Sequence, residues 1–330
     1  MRKRQALSIG AFGFDRIRPL LDGRVELEGY TFRSPRHYSI HNQFSYLSRS
    51  QLALCEVGLG FFSAYLESGY RNYVGLPIPI ARAFRHETIY VRKGGKIKSP
   101  EDLNGARIGL PDFNGTSAIW QKGLLQDQYG IDLTKIKWIV GKVDESFISW
   151  HKPNKYILDA FDVEIATPED TLSDKLQAGE IDALLAYRRP EAFRSRRDII
   201  RLFPDYVSEE KKYFRETKIF PVLHVIALRR TEIDRDPDLP NKLVAAFTAA
   251  KNIVIEEIRE TLYPFASVPF LSHAVEESES IFGMDIWPYG FDELQLPLKT
   301  FLRYCAEQRV TRKLLDVKEI FELERSRIAA

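Results

Sequence analysis

The chain has 330 residues, 44% hydrophobic and 28% charged, enough apolar material for about two ordinary globular domains. Lysine and arginine number 48 against 46 aspartates and glutamates, a net charge of +2, which makes no electrostatic case for nucleic acid or an anionic membrane surface. Two widely separated cysteines, Cys55 and Cys305, argue against a zinc site or a disulfide framework, and no apolar run approaches the length of a membrane span.

Met1-Arg2-Lys3-Arg4 starts like a signal peptide, but the apolar stretch after it is short and soon interrupted by Asp15 and Arg16. The expectation is a cytoplasmic protein. Leu7–Phe12 predicts a first strand, Asp15–Leu21 a short helix, and Tyr30–Arg33 a second strand by alternation. His41–Arg49 has helical spacing. Leu52–Cys55 is an apolar run suited to a buried strand, Phe61–Leu66 reads as a helix, and Tyr73–Ile80 as another strand. This βαβα order predicts a mostly parallel sheet covered on both faces.

Thr88–Arg92 alternates as a strand that crosses into a second set of elements, preceded by Arg82, Arg85 and His86 within five residues. Ser99-Pro100 opens a helical turn that Gly105 closes. Ala106–Pro111 predicts a strand leading through Asn114-Gly115 into a helix over Thr116–Tyr129, with Lys137–Val140 the next strand. Residues 145–156 read as an irregular insert. Thr167-Pro168-Glu169-Asp170 matches a capping box and predicts a helix start, followed by a strand over Ile181–Ala186. The basic cluster Arg194-Ser195-Arg196-Arg197 reads as solvated surface. Phe220–Arg229 predicts a long strand crossing back. Asp236-Pro237 starts a long helix with Leu243, Phe247, Ala250 and Val254 on its apolar stripe, and the remainder is helical with loops near 264–269 and 287–296.

Leu47…Leu52-Ala53-Leu54 and Leu176…Ile181-Asp182-Ala183-Leu184 repeat at a constant offset, as two similar lobes would. The expected architecture is two α/β lobes joined by two crossing strands. One lobe is discontinuous, residues 1–93 with 218–330; the other is 94–217. Ligands in such folds bind between the lobes, at strand carboxyl ends and helix N-termini, and a mid-chain lobe implies hinge closure.

Candidate chemistry gathers where those ends converge. Asn114, Thr116 and Ser117 sit at a helix start suited to a carboxylate, with simple capping the plainer alternative. Arg85 offers bidentate carboxylate binding, and His86 a proton near neutral pH, unless it is a core histidine. His224 stands near the start of the other crossing. Glu56, ahead of Gly58 and Gly60, fits a base or an orienting group, or equally a surface carboxylate. Arg16 and Arg188 each follow a strand. Trp287-Pro288-Tyr289-Gly290 is an aromatic loop, read as packing or a lid.

Several of these stretches, in order along most of the chain, resemble the 4,5-dihydroxyphthalate decarboxylases, an enzymatic branch of the type II periplasmic-binding-protein-like fold. The more specific segments are Phe84-Arg85-His86, Phe220-Pro221 with His224, and Trp287-Pro288-Tyr289-Gly290; Trp120 with Gly123-Leu124-Leu125-Gln126-Asp127 also matches. The departures are Val57-Gly58-Leu59-Gly60, where that family carries a Met-Ser stretch, Tyr187-Arg188-Arg189-Pro190, and the insert at 145–156.

The resemblance implies non-oxidative decarboxylation of a hydroxylated aromatic acid with no metal or organic cofactor required. It implies His86 as proton donor with His224 as second choice, and Glu56 to orient a histidine or accept a phenolic proton. Arg85, Arg16, Arg188, Asn114, Thr116, Ser117 and Trp120 would form the substrate-binding set. The implied partner is a small aromatic carboxylate, with a homo-oligomer left open. The competing readings are a non-enzymatic binding protein for a small carboxylate and a relative acting on another carboxylate by a different route.

Overall fold

The structure, a computed structural model, describes residues 4–35, 43–145, 151–195 and 198–321. Met1–Lys3 of the signal-like start, His41 and Asn42 of the second predicted helix, residues 146–150 of the insert, Arg196 and Arg197, and residues 322–330 lie outside them.

Among the described residues the strands are β1 Gln5–Gly10, β2 Tyr30–Arg33, β3 Leu54–Gly58, β4 Tyr73–Gly75, β5 Ala81–Arg82, β6 Ile89–Arg92, β7 Arg107–Leu110, β8 Lys137–Val140, β9 Asp162–Ile165, β10 Ala183–Leu185, β11 Ile199–Arg201 and β12 Val222–Arg229. The helices are α1 Arg18–Leu21, α2 Gln43–Ser48, α3 Leu59–Glu67, α4 Thr116–Tyr129, α5 Lys155–Ala160, α6 Leu172–Ala178, α7 Glu191–Ser195, α8 Tyr206–Thr217, α9 Arg230–Arg235, α10 Leu239–Arg259, α11 Leu271–Phe282, α12 Phe291–Glu307 and α13 Val317–Phe321.

Two mixed sheets form. The first has the order β2-β1-β3-β12-β4 with β5 added on β12, the second β11-β6-β10-β7-β8-β9. In each, a parallel block comes from βα alternation: β2, β1 and β3 in the first, β10, β7, β8 and β9 in the second. The antiparallel strands are those next to the crossings: β12 against β3 and β4, and β6 against β10 and β11. The central strands are buried on both faces, which is why Leu52–Cys55 and Ala183–Leu185 read as continuous apolar runs rather than alternations.

The chain leaves the first sheet after Arg82, joins the second at Ile89, and returns through α8 to Val222. The two passages lie side by side: Val222 pairs with Arg82, and the Ala83 amide donates to Pro221 O at 3.2 Å. Arg82 ties them further, its Nη2 donating to Phe220 O at 3.0 Å.

Four local readings shift. β3 runs on to Gly58, because β12 pairs with it from Leu228 to His224; Glu56 therefore lies inside the strand, not in a loop after it. The strand expected over Tyr73–Ile80 ends at Gly75, since Pro77 and Pro79 bring no N–H to a ladder. The helix expected to open at Thr167 starts at Leu172, capped by Thr171, whose side chain accepts from the Asp174 amide. The later part of the insert forms α5, capped by Asn154.

The largest of three apolar clusters spans both sheets. It joins Val57 and Val225 of the first sheet and Ile108 and Trp138 of the second to Phe62, Trp120, Phe301 and Tyr304 on α3, α4 and α12. α12 grips α4 closely: a Cβ on Gly123 would stand 2.3 Å from the Tyr304 ring. The Tyr304 hydroxyl donates to Asp127 at 2.6 Å and Gln308 Nε2 to Ile119 O at 3.0 Å.

Candidate active site

β1 and β3 are parallel; β1 ends at Gly10, level with Cys55, β3 runs on to Gly58, and β12 starts beside that end. Period-two alternation puts Leu54, Glu56 and Gly58 on one face of β3 and Cys55 and Val57 on the other. Glu56 is fully buried. A carboxylate removed from water has to be paired, and this one is: Oε1 stands 2.5 Å from His224 Nδ1, and Oε2 accepts the Phe12 amide at 2.8 Å. With Nδ1 engaged, Nε2 is the His224 nitrogen left to meet an outside partner. The His224 side chain is 24% exposed.

The loop after β1 brings Arg16 to this edge. Its Nη1 donates to Asp15 at 2.9 Å and its Nη2 to Ile80 O at 2.8 Å, while the guanidinium lies 4.0 Å from the Trp287 ring centre. Arg16 Nε is buried with no hydrogen-bond partner, an arrangement that a ligand oxygen would complete. Trp287 is fixed in turn by Nε1 donating to Pro79 O at 2.8 Å, and the Gly290 amide donates to Pro77 O at 3.0 Å. The Tyr289 hydroxyl lies beside Arg16, and burial pushes its pKa up. The aromatic loop thus packs as a brace that holds an arginine.

The facing lobe contributes the start of α4. Its N-cap, Gly115, has no side chain to satisfy the first-turn amides, which leaves the positive end of a 14-residue helix open. Thr116 Oγ1 accepts the Gly60 amide of α3 at 3.0 Å, so the starts of α3 and α4 meet. Only glycine permits this approach at position 60, where a Cβ would stand 2.2 Å from Asn114 O. Asn114 Oδ1 is buried and unpartnered. Ser117 is half-buried in the first turn, and Arg188 is exposed after β10.

Sequence reasoning passed over a second carboxylate–histidine pair here. Asp112, buried at the end of β7, holds His151 Nδ1 at 2.8 Å through Oδ2, while its Oδ1 accepts the Asn114 amide at 2.9 Å. The hydrogen bond raises the His151 pKa. The imidazole packs edge-on to Phe61 of α3, 5.1 Å between centres. His151 stands inside the segment read as an irregular insert, and the 39 positions separating it from Asp112 carry no signal of contact.

Three expected site residues are placed elsewhere. His86 is 2% exposed, with its ring against Phe203 and Tyr213 at 5.3 and 5.7 Å. Burial drives its pKa down to about 4. Its Nδ1 has no hydrogen bond and lies 3.9 Å from Glu210 Oε1. Arg85 is 9% exposed, its Nε is unpartnered, and burial lowers its pKa to about 10. Trp120 is buried and donates to Val222 O at 2.8 Å. All three line one small cavity beside the two passages, together with Phe84, Leu124, Tyr213 and Pro221. Among the described residues no three His, Cys, Asp or Glu side chains are grouped as a metal ion would require, and no helix is long and apolar enough to cross a membrane.

The fold is that of periplasmic binding proteins. The structure is similar to the periplasmic aliphatic sulphonate binding protein of Escherichia coli, with a TM-score of 0.53 and 14% identity over 97% of this chain and 92% of that one. It is also similar to the ligand-binding component of an ABC-type import system from Staphylococcus aureus, with a TM-score of 0.51 and 12% identity over 98% of each chain. No family model matches the sequence. The sequence is 30% identical over 325 residues to the 4,5-dihydroxyphthalate decarboxylase of Comamonas testosteroni, spanning 96% of each chain. It is 32% identical over 191 residues to that of Pseudomonas putida, 57% of this chain and 72% of the relative. On this near-complete match the chain belongs to the 4,5-dihydroxyphthalate decarboxylase family, carboxy-lyases here built on a binding-protein fold.

Proposed function

We propose that this protein converts 4,5-dihydroxyphthalate to 3,4-dihydroxybenzoate and CO₂ without an oxidant, as a step in the breakdown of phthalate-type aromatic acids. The observation that carries the reading is the pairing of buried Glu56 with His224: a site that only binds carboxylates needs clamps, not an imidazole oriented by a buried carboxylate. In this reading Arg16 and the open start of α4 hold the two substrate carboxylates. Glu56 holds His224 through Nδ1 and so keeps Nε2 toward the substrate. His224 takes the proton of the ring hydroxyl para to the departing carboxylate. The electron pair moves through the ring to the carbon bearing that carboxylate, a proton adds there, and breakage of the C–C bond releases CO₂ and restores aromaticity. The chemistry as written uses protein side chains alone.

The fold shared with solute-binding proteins supports a second reading, a binding protein for an aromatic carboxylate. The test is to incubate the purified protein with 4,5-dihydroxyphthalate, phthalate and the mono- and dihydroxybenzoates while measuring CO₂ and the aromatic product. Turnover confined to substrates with a hydroxyl para or ortho to a carboxylate is expected. Binding without CO₂ release across the panel contradicts the decarboxylase reading and favours the second.

A further inference from the structure

Decarboxylation by this route needs two proton transfers at opposite ends of the ring, one at the hydroxyl and one at the carbon that loses its carboxylate. A single imidazole serves one end. The second carboxylate–histidine pair stands beside the start of α4. Asp112 is 7% exposed, anchored by the Asn114 amide at 2.9 Å and by a backbone bridge to His151. Both Asp112 and the α4 start follow β7, so the proposed carboxylate clamp and the carboxylate that holds the second histidine share one short segment. The edge-on contact of His151 with Phe61 brings it to the start of α3, whose N-cap Gly58 is the register partner of His224.

We infer that His151, oriented by Asp112, is a second catalytic histidine and protonates the ring carbon that loses CO₂, while His224 handles the hydroxyl. The inference rests on the decarboxylase reading above. In the step, the C–H bond forms with a proton from His151, the C–C bond to the carboxylate breaks, and its electron pair returns to the ring. His224 gives the hydroxyl its proton back. Each turnover therefore consumes one proton from solvent, delivered through His151. Two properties equip that histidine to deliver it. Its side chain is 40% exposed, so water can recharge it, and Asp112 favours the protonated form. The insert at 145–156 thus supplies a reacting group. Asp112 acts through His151 and is a positioning residue; Phe61 is the ring's apolar neighbour.

The experiment measures CO₂ release from 4,5-dihydroxyphthalate by the wild-type chain, His151→Gln and Asp112→Asn, with circular dichroism to confirm folding. For His151→Gln, kcat is expected to fall at least a hundredfold with KM changed less than about threefold. For Asp112→Asn, a smaller loss is expected, with the basic limb of the kcat–pH profile moved to lower pH as His151 loses its carboxylate partner. A folded His151→Gln with kcat within threefold of wild type overturns the His151 assignment and leaves the decarboxylase reading standing. An Asp112→Asn profile that keeps its basic limb overturns the positioning role. A wild-type chain that releases no CO₂ overturns both readings together.

Discussion

Glu56 is a carboxylate with no water around it, and its two partners are what make it tolerable in the core. Glu56→Gln keeps the size and one acceptor but replaces the carboxylate that holds His224 Nδ1. It is expected to lower kcat by about a hundredfold or more, with KM little changed; an unchanged kcat in a folded variant contradicts the role. Removing the histidine instead takes one partner from a buried carboxylate, a change that lowers stability, so each variant needs its melting temperature beside its activity. His86 is the opposite case. Its ring is sealed between Phe203 and Tyr213, so His86→Ala is expected to leave CO₂ release within a few-fold while destabilising the fold by about 2–4 kcal/mol. A hundredfold loss of activity in a stably folded His86→Ala would restore it to the site. Both histidines flank a passage between lobes, and no local pattern separates them. What differs is the neighbour: for His224, Glu56 is 168 positions away, beyond any spacing rule. Glu56 itself was legible as chemistry because a carboxylate beside Leu52–Cys55 interrupts a buried run.

Among the elements, α4 is legible to the residue, while α6 starts at Leu172, five positions after the capping-box signal at Thr167. α4 begins at Thr116 and stops at Gly130, whose φ of +63° is the left-handed exit a glycine allows. Strands were read less well, because their limits depend on a partner. β3 extends as far as β12 pairs with it, and β9 and β11 emerge only once the second sheet is assembled. The duplicated helix–strand signature falls on α2–β3 and α6–β10, one pair in each sheet. The contact between the starts of α3 and α4 has a direct test. Gly60→Ala places a Cβ 2.2 Å from Asn114 O, backbone that cannot swing aside. The variant is expected to lose about 1–3 kcal/mol of stability and to raise KM, since the α4 start moves away from His224. Unchanged KM and stability would show that the two starts do not meet as described.

At the scale of the whole molecule, the largest apolar cluster ties the two sheets together. α12 clamps α4 through Tyr304, Asp127 and Gln308. The passages between lobes also set the pH response. Folding drives His86 down to about 4 from its usual 6.5, so its contribution to stability is present above pH 6.5 and is lost as pH falls toward 4. Folding drives Glu210 up to about 7 from 4.5 through burial, so its contribution is present below pH 4.5 and is lost as pH rises toward 7. Each shift corresponds to about 3 kcal/mol, and between pH 4.5 and 6.5 the two slopes oppose. Glu210→Gln removes one of them. Its melting temperature is expected to drop more steeply than wild type on acidification from pH 6.5 to 4.5, and parallel curves contradict the assignment. These opposing burials follow from packing α8 against the first passage, which no window of sequence contains. The decisive comparison is CO₂ and 3,4-dihydroxybenzoate formation from 4,5-dihydroxyphthalate by wild type and His224→Ala side by side. Wild type is expected to form equal amounts of the two products, and a folded variant whose melting temperature still rises with substrate to form them at least a hundredfold more slowly. A fully active His224→Ala, or a wild type that binds without turnover, contradicts a decarboxylase built on the Glu56–His224 pair.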